Sequence, residues 1–224
     1  MLVFILNAGS SSLKYQLMNP MTQEVLASGL CERIGIDGRL IHISNDKKTK
    51  LDVEMPTHKE AIEIVLNTLT TGENKVINSI EDIDSIGHRV VHGGEYFSKS
   101  VIVDSDVIKK LEELIPLAPL HNPANILGMK ICIELMPTKK NVAVFDTAFH
   151  QTMEPSSYMY AVPYEDYKEH GVRKYGFHGT SHSYVSNEAV KLLDKKDSKV
   201  IVCHLGNGSS VCAVRDGKSI DTSM

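Results

Sequence analysis

Two Gly-Ser turns, each flanked by short strand-forming runs, stand near opposite ends of the chain. The first lies in Val3-Phe4-Ile5-Leu6-Asn7-Ala8-Gly9-Ser10-Ser11-Ser12-Leu13-Lys14-Tyr15-Gln16-Leu17, and the second in Val200-Ile201-Val202-Cys203-His204-Leu205-Gly206-Asn207-Gly208-Ser209-Ser210-Val211-Cys212-Ala213-Val214. Gly9-Ser10-Ser11 overlays Gly208-Ser209-Ser210 without a gap. A strand, a tight glycine turn and a second strand make a hairpin whose backbone N–H groups and hydroxyls converge on an anion. Two of them in one chain predict a duplicated core gripping a polyphosphate from both sides. The plainer alternative is two ordinary hairpin turns.

Composition narrows the class. At 224 residues and 42% hydrophobic, the chain is long enough and apolar enough to bury a core as one large domain or two modest ones. A net charge of −4 gives no broad basic face for nucleic acid. No run is long enough to span a membrane, and Leu2 to Leu6 is too short and lacks the basic leader of a signal peptide. Cys31, Cys132, Cys203 and Cys212 form no C-x-x-C. The last three lie in apolar strings and are expected to be reduced core residues of a cytoplasmic protein.

Periodicity supplies the elements. Residues 2–7 and 12–18 predict the first hairpin, with Leu13, Tyr15 and Leu17 alternating against polar neighbours. Further strands are expected at 24–34 and 39–45, split by Gly35 and the Asp37-Gly38 turn. Thr57-His58-Lys59-Glu60 reads as a capping box opening a helix to about Leu69. A strand at 84–91 follows, then a helix from Ser105 to before Pro116. Asn122-Pro123 is expected to cap another helix, ending before Pro137. Residues 141–146 read as a buried strand, 163–170 as loop and short helix, and 180–194 as a helix. The order gives an α/β fold with a partial internal repeat and a boundary near residue 150.

Four segments carry candidate chemistry. Arg89, in Gly87-His88-Arg89-Val90-Val91-His92-Gly93-Gly94-Glu95, sits at a strand end beside a glycine bend, where a guanidinium clamps a carboxylate or phosphate bidentately; a structural salt bridge is the alternative. Asp146 ends the 141–146 strand, where α/β sheets place ligands, and reads as a Mg²⁺-linked carboxylate or as a turn acid. His178 lies between Gly176 and Gly179, with Thr180 placed to cap the following helix. His178 and His182 are four apart, but the glycines set His178 before the helix and no H-E-x-x-H glutamate accompanies them, which argues against zinc. His121 precedes a helix N-terminus, where anions are favoured. There is no Walker loop and no G-x-G-x-x-G fingerprint. Ser11-Ser12-Leu13-Lys14 matches S-x-x-K in letters, but continues with strand period rather than helix, so a serine hydrolase is disfavoured.

Taken together these segments resemble the acetate kinase family. Asn7-Ala-Gly-Ser-Ser-Ser-Leu-Lys14 and Gly176-Phe-His-Gly-Thr-Ser-His182 are similar to its two signatures. The runs from Gly87 to Gly94, Phe145 to His150 and His204 to Ser210 match in the family's order. The resemblance implies an actin/hexokinase-like (ribonuclease H-like) duplicated fold, with residues 1–150 as the N-terminal domain and 151–224 as the beginning of a nucleotide-binding C-terminal domain. It implies reversible phosphoryl transfer from ATP to acetate, giving ADP and acetyl phosphate, with Mg²⁺, in a cytoplasmic homodimer that needs neither nucleic acid nor membrane.

Site roles follow from the resemblance by position. Asn7 and Asp146 match residues around the Mg²⁺–phosphate site, with Asn7 on the metal side. Ser10, Ser12 and Lys14 match the first phosphate loop. His121, His204, Leu205, Gly206, Asn207 and Gly208 match further phosphate and ATP contacts. Arg89 matches an arginine that binds the acetate carboxylate and the transferring phosphoryl, and His178 a histidine bonded to that phosphoryl. Val91, Leu120 and Phe177 match the pocket around the acetate methyl. Family members are nearly twice as long, so the chain alone is expected to turn over little, with 1–150 able to fold and 151–224 exposing an incomplete sheet edge. Three alternatives stay open: a non-catalytic phosphate-binding remnant, a propionate-preferring kinase of the same family, and a histidine-based metal hydrolase.

Overall fold

The computed structural model describes residues 1–194 and 197–224. It divides into two compact units, one of Met1–Val90 with Val101–Ala143, the other of Val91–Ser100 with Val144–Met224. Among the described residues no helix is long and apolar enough to cross a membrane.

The first unit is built on strands β1 (Val3–Ala8), β2 (Ser12–Asn19), β3 (Glu24–Glu32), β4 (Arg39–Ser44) and β5 (Lys47–Asp52), helix α1 (His58–Thr70), strands β6 (Ser85–Val90) and β7 (Val101–Ile102), helices α2 (Ser105–Glu113) and α3 (Asn122–Leu135), and strand β8 (Lys140–Phe145), whose residues Val144 and Phe145 belong to the second unit. The sheet order is β5-β4-β3-β2-β1-β6-β8-β7. β1 runs antiparallel to β2 and parallel to β6. Alternation decides its faces. Phe4, Leu6 and Ala8 of β1, Leu13, Tyr15 and Leu17 of β2, and Ile86 of β6 are buried in one core with Ala61, Ile62, Val65, Leu66 and Leu69 of α1 and Ile131 and Cys132 of α3.

Local chemistry sets the helix starts. At α1 the expected capping box forms: the Thr57 N–H donates to Glu60 Oε2 at 2.8 Å and Thr57 Oγ1 accepts from the Lys59 N–H at 3.1 Å. Asp104 caps α2 by accepting from the Val107 N–H at 2.8 Å. At α3 the expectation is corrected. His121 is the cap residue, with no side-chain cap bond, and Asn122 is the first helical residue and fully buried. Pro123 supplies the preset φ at the start.

His88 makes the first unit acid-sensitive. It is buried and its Nε2–H donates to Asn141 Oδ1 at 2.8 Å. Burial pushes its pKa from 6.5 down to about 4. Below about pH 6.5 the unfolded chain binds a proton that the folded chain refuses until about pH 4, so stability falls as pH falls through that window. We expect His88→Gln, which keeps a donor to Asn141, to reduce the stability lost between pH 7 and pH 5 by about 2 kcal/mol. Urea unfolding at the two pH values checks this, and an unchanged difference contradicts it.

The second unit contains helices α4 (Pro155–Tyr158), α5 (Tyr164–His170) and α6 (Gly179–Leu193), and strands β9 (Lys199–Leu205), β10 (Ser209–Arg215) and β11 (Lys218–Thr222). The strands form an antiparallel sheet in the order β11-β10-β9. Its core is Val202, Cys212 and Val214, with Phe149 and Val200 against them. Arg173 is buried over the Tyr158 ring, 3.6 Å from its centroid, and pairs with Glu95. Two expectations are corrected here. Cys203 is exposed rather than in the core, because β9 turns Val202 inward and Ile201, Cys203 and Leu205 outward. Thr180 does not cap α6: His178 is the cap residue, in a left-handed conformation, and the helix already begins at Gly179.

Candidate active site

In the first unit the Gly-Ser turn is built on the carboxyl end of β1. The Gly9 N–H closes it on the Ser12 carbonyl at 2.8 Å, which leaves Ser10 and Ser11 exposed at the tip. Two side chains brace its root: His58 Nε2 bonds the Gly9 carbonyl at 2.6 Å, and Asn125 Nδ2 donates to the Ala8 carbonyl at 2.8 Å. α3 approaches closely at Gly128, where a Cβ would lie 3.1 Å from Ala8 Cβ. The turn therefore stands on a fixed base.

Three polar side chains line up beside it on the sheet face opposite the core. Asn7 pairs with Lys14 across the β1–β2 hairpin. On the other side the parallel register ends at Leu6 with His88, so Asn7 and Arg89 come next along their strands. Leu6 and His88 are buried on the core face; by alternation Asn7 and Arg89 share the other, both half-buried. The row Lys14, Asn7, Arg89 presents two cations and an amide where the carboxyl ends of β1 and β6 meet the amino end of β2, an arrangement suited to carboxylate and phosphate oxygens. Asn7 and Lys14 also line a groove of about 480 Å³ with Ile5, Gln16, Leu30 and Ile41. Leu120 and His121 are exposed in the loop before α3.

In the second unit the turn Gly206-Asn207-Gly208 joins β9 to β10, with Leu205 paired to Ser209 at its base. Leu205, Gly206, Asn207 and Gly208 are all exposed. His178 stands against this turn: a Cβ on Gly208 would lie 3.5 Å from its Cε1 and Nε2. The His178 ring stacks on His204 with centroids 4.0 Å apart, and His204 Nδ1 bonds Ser181 Oγ at 3.0 Å. Ser210 Oγ lies 2.8 Å from His178 Nδ1 and 2.7 Å from His182 Nε2.

The same unit fixes Asp146 and the Val91 loop. Asp146 is buried at the end of β8, and its carbonyl accepts from the Gly179 N–H at 2.8 Å, joining the strand end to the start of α6. Thr147 Oγ1 accepts from the Gly93 N–H at 2.9 Å. Beside the buried Val91, the His92 ring packs edge-on to Tyr175 and Phe177. The Phe177 carbonyl accepts from His150 Nε2–H at 3.1 Å, while His150 Nδ1 meets Ser219 Oγ at 2.8 Å. Burial pushes the pKa of His92 and His182 down to about 4 and lowers that of His150. These buried rings are neutral at pH 7 and act as hydrogen-bonding parts.

Sequence reasoning singled out most of these side chains but missed Ser210, Ser181 and His150 as members of the histidine network. Ser210 had a weak signal, its alignment with Ser11; Ser181 and His150 had only their positions inside motifs. His178 and His182 do converge, on the hydroxyl of Ser210. Among the described residues there is no group of three or more His, Cys, Asp or Glu that could hold a metal ion.

The acetokinase family model matches residues 2–224. The acetate kinase of Fusobacterium nucleatum subsp. nucleatum is 60% identical over 228 residues, which take in the whole of this chain and 57% of that protein. The acetate kinase of Thermotoga maritima is 54% identical over 227 residues, with 100% and 56% covered. Among solved structures, Porphyromonas gingivalis acetate kinase superposes with a TM-score of 0.96 at 46% identity, and a propionate kinase from Francisella tularensis with 0.93 at 48%; each covers 100% of this chain and 57% of the solved one. The fold is thus that of the acetate-kinase N-terminal region. The chain spans a little over half the length of the relatives it matches.

Proposed function

Because the chain belongs to the acetokinase family, we propose that the protein is an acetate kinase, passing the γ-phosphoryl of ATP reversibly to acetate to give ADP and acetyl phosphate. The observation that carries this is the row Lys14, Asn7, Arg89 beside the braced Gly9 turn. Acetate is ionised at neutral pH, so its attack on phosphorus needs no general base. It needs positioning and neutralised charge, and the site is accordingly rich in donors.

In this reading Arg89 holds the acetate carboxylate and the moving phosphoryl. The turn at Ser10 and Ser12 with Lys14 binds phosphate oxygens, and so do His121, His204 and the Leu205 to Gly208 turn. His178 donates to the phosphoryl as charge gathers on its equatorial oxygens. Mg²⁺ supplies further charge neutralisation on the phosphates when bound. The oxygen donors Asn7 and Asp146 suit a hard cation that keeps water and takes most of its ligands from phosphate. The whole-protein reading extends to a cytoplasmic homodimer with a duplicated actin/hexokinase-like fold, whose domain boundary lies near residue 150. Trapping the acyl phosphate with hydroxylamine, using the intact protein, ATP, Mg²⁺ and acetate, tests the activity; ATP consumption without hydroxamate overturns it.

A propionate kinase among the structural neighbours gives the substrate a second reading. Val91, Leu120 and Phe177 are the proposed methyl pocket, and the branched Val91 crowds an added methylene. Val91→Ala is expected to raise kcat/KM for propionate relative to acetate by about tenfold, within the 1–3 kcal/mol that one methylene commands. Assaying both acids checks this, and an unchanged ratio contradicts it.

A further inference from the structure

We propose that Ser210 is a positioning residue that locks His178 in the tautomer carrying its proton on Nε2. The catalytic consequence rests on the kinase reading above; the tautomer does not. Ser210 is buried, and its one hydroxyl touches two ring nitrogens, His178 Nδ1 at 2.8 Å and His182 Nε2 at 2.7 Å. A hydroxyl has a single proton, so it donates to one ring and accepts from the other. Which way it points is decided at His182. That ring is fully buried and its Nδ1 has no hydrogen-bond partner. It is neutral at pH 7, because burial and the neighbouring His150, His178 and His204 all disfavour its charged form. It therefore holds one proton.

Placing that proton on Nδ1 orphans a buried N–H, the rarer and costlier defect. Placing it on Nε2 leaves only a lone pair unpaired and lets Nε2–H donate to Ser210. The serine proton then points at His178 Nδ1, which must offer a lone pair. The neutral His178 ring carries its proton on Nε2, the nitrogen facing the Gly208 turn. His178 thus presents an N–H donor to an anion on that turn without first being charged.

The experiment is a two-bond proton–nitrogen correlation spectrum of the intact protein with labelled histidine at neutral pH. For His178, a pyridine-like Nδ1 and a pyrrole-like Nε2 are expected. In Ser210→Ala the Nδ1–H form should appear, and kcat should fall by about tenfold with little change in KM for acetate, the loss of one oriented hydrogen bond. Ser210→Thr, which keeps the hydroxyl, should restore both. An Nδ1–H ring in the unaltered protein, or an unchanged tautomer in Ser210→Ala, overturns the proposal. The expected tautomer in a protein that forms no acetyl phosphate supports the lock and overturns the kinase reading alone.

Discussion

Arg89→Ala in the intact protein is expected to lower kcat/KM for acetate by about a thousandfold. The size follows from what the side chain is asked to do. An anionic nucleophile approaches an anionic phosphoryl, and an arginine that neutralises such charge in the transition state is worth about 10³–10⁵ in rate. Arg89 stands at the carboxyl end of β6, next in register to Asn7, on the face opposite the core, so truncation opens no cavity among Phe4, Leu6 and Ile86. Arg89→Lys keeps the charge and loses the planar fork, and should recover only part of the rate. A loss below about tenfold in the alanine variant would show that the carboxylate is held elsewhere.

Gly179→Ala should strike structure and activity together. A Cβ there would lie 2.3 Å from the Asp146 carbonyl oxygen and 3.0 Å from Phe149 Cβ. The nearer atom is backbone, so no rotamer change relieves the clash. The Gly179 N–H to Asp146 carbonyl bond must stretch, and the end of β8 must part from the start of α6. Overpacking of this kind costs about 1–3 kcal/mol, and a shift of about 1 Å in a catalytic group costs about a hundredfold in rate. Gly87→Ala is the control, since its Cβ would meet nothing nearer than 3.9 Å. Denaturant unfolding and steady-state rates on both variants check this. If Gly179→Ala behaves like Gly87→Ala, Asp146 is not held in place by the helix start.

Much of this was legible in the chain, for identifiable reasons. The β1–β2 hairpin announced itself because one face is packed and Leu13, Tyr15 and Leu17 must alternate. The start of α1 was legible because a capping box is a local, two-residue device. β5 gave no signal: five of the six residues from Lys47 to Asp52 are polar and Leu51 is exposed, so there is no apolar alternation to read, and the lysines blunt an edge that would otherwise template other chains. β7 has two residues and no period to read. Cys203 was misread because an apolar string does not reveal which of its faces is covered. At the site, side chains that sit in motifs were found. The hydroxyls that orient them were missed, since the Ser210 bridge between His178 and His182 exists only once β10 lies beside α6.

The most direct test of phosphoryl transfer to the carboxylate is phosphorus NMR of the intact protein's products from ATP, Mg²⁺ and acetate labelled with heavy oxygen in the carboxyl group. Direct attack on the γ-phosphorus predicts ADP and acetyl phosphate, with one heavy oxygen bridging carbon and phosphorus. Unlabelled inorganic phosphate with ADP, or AMP with pyrophosphate, would contradict it.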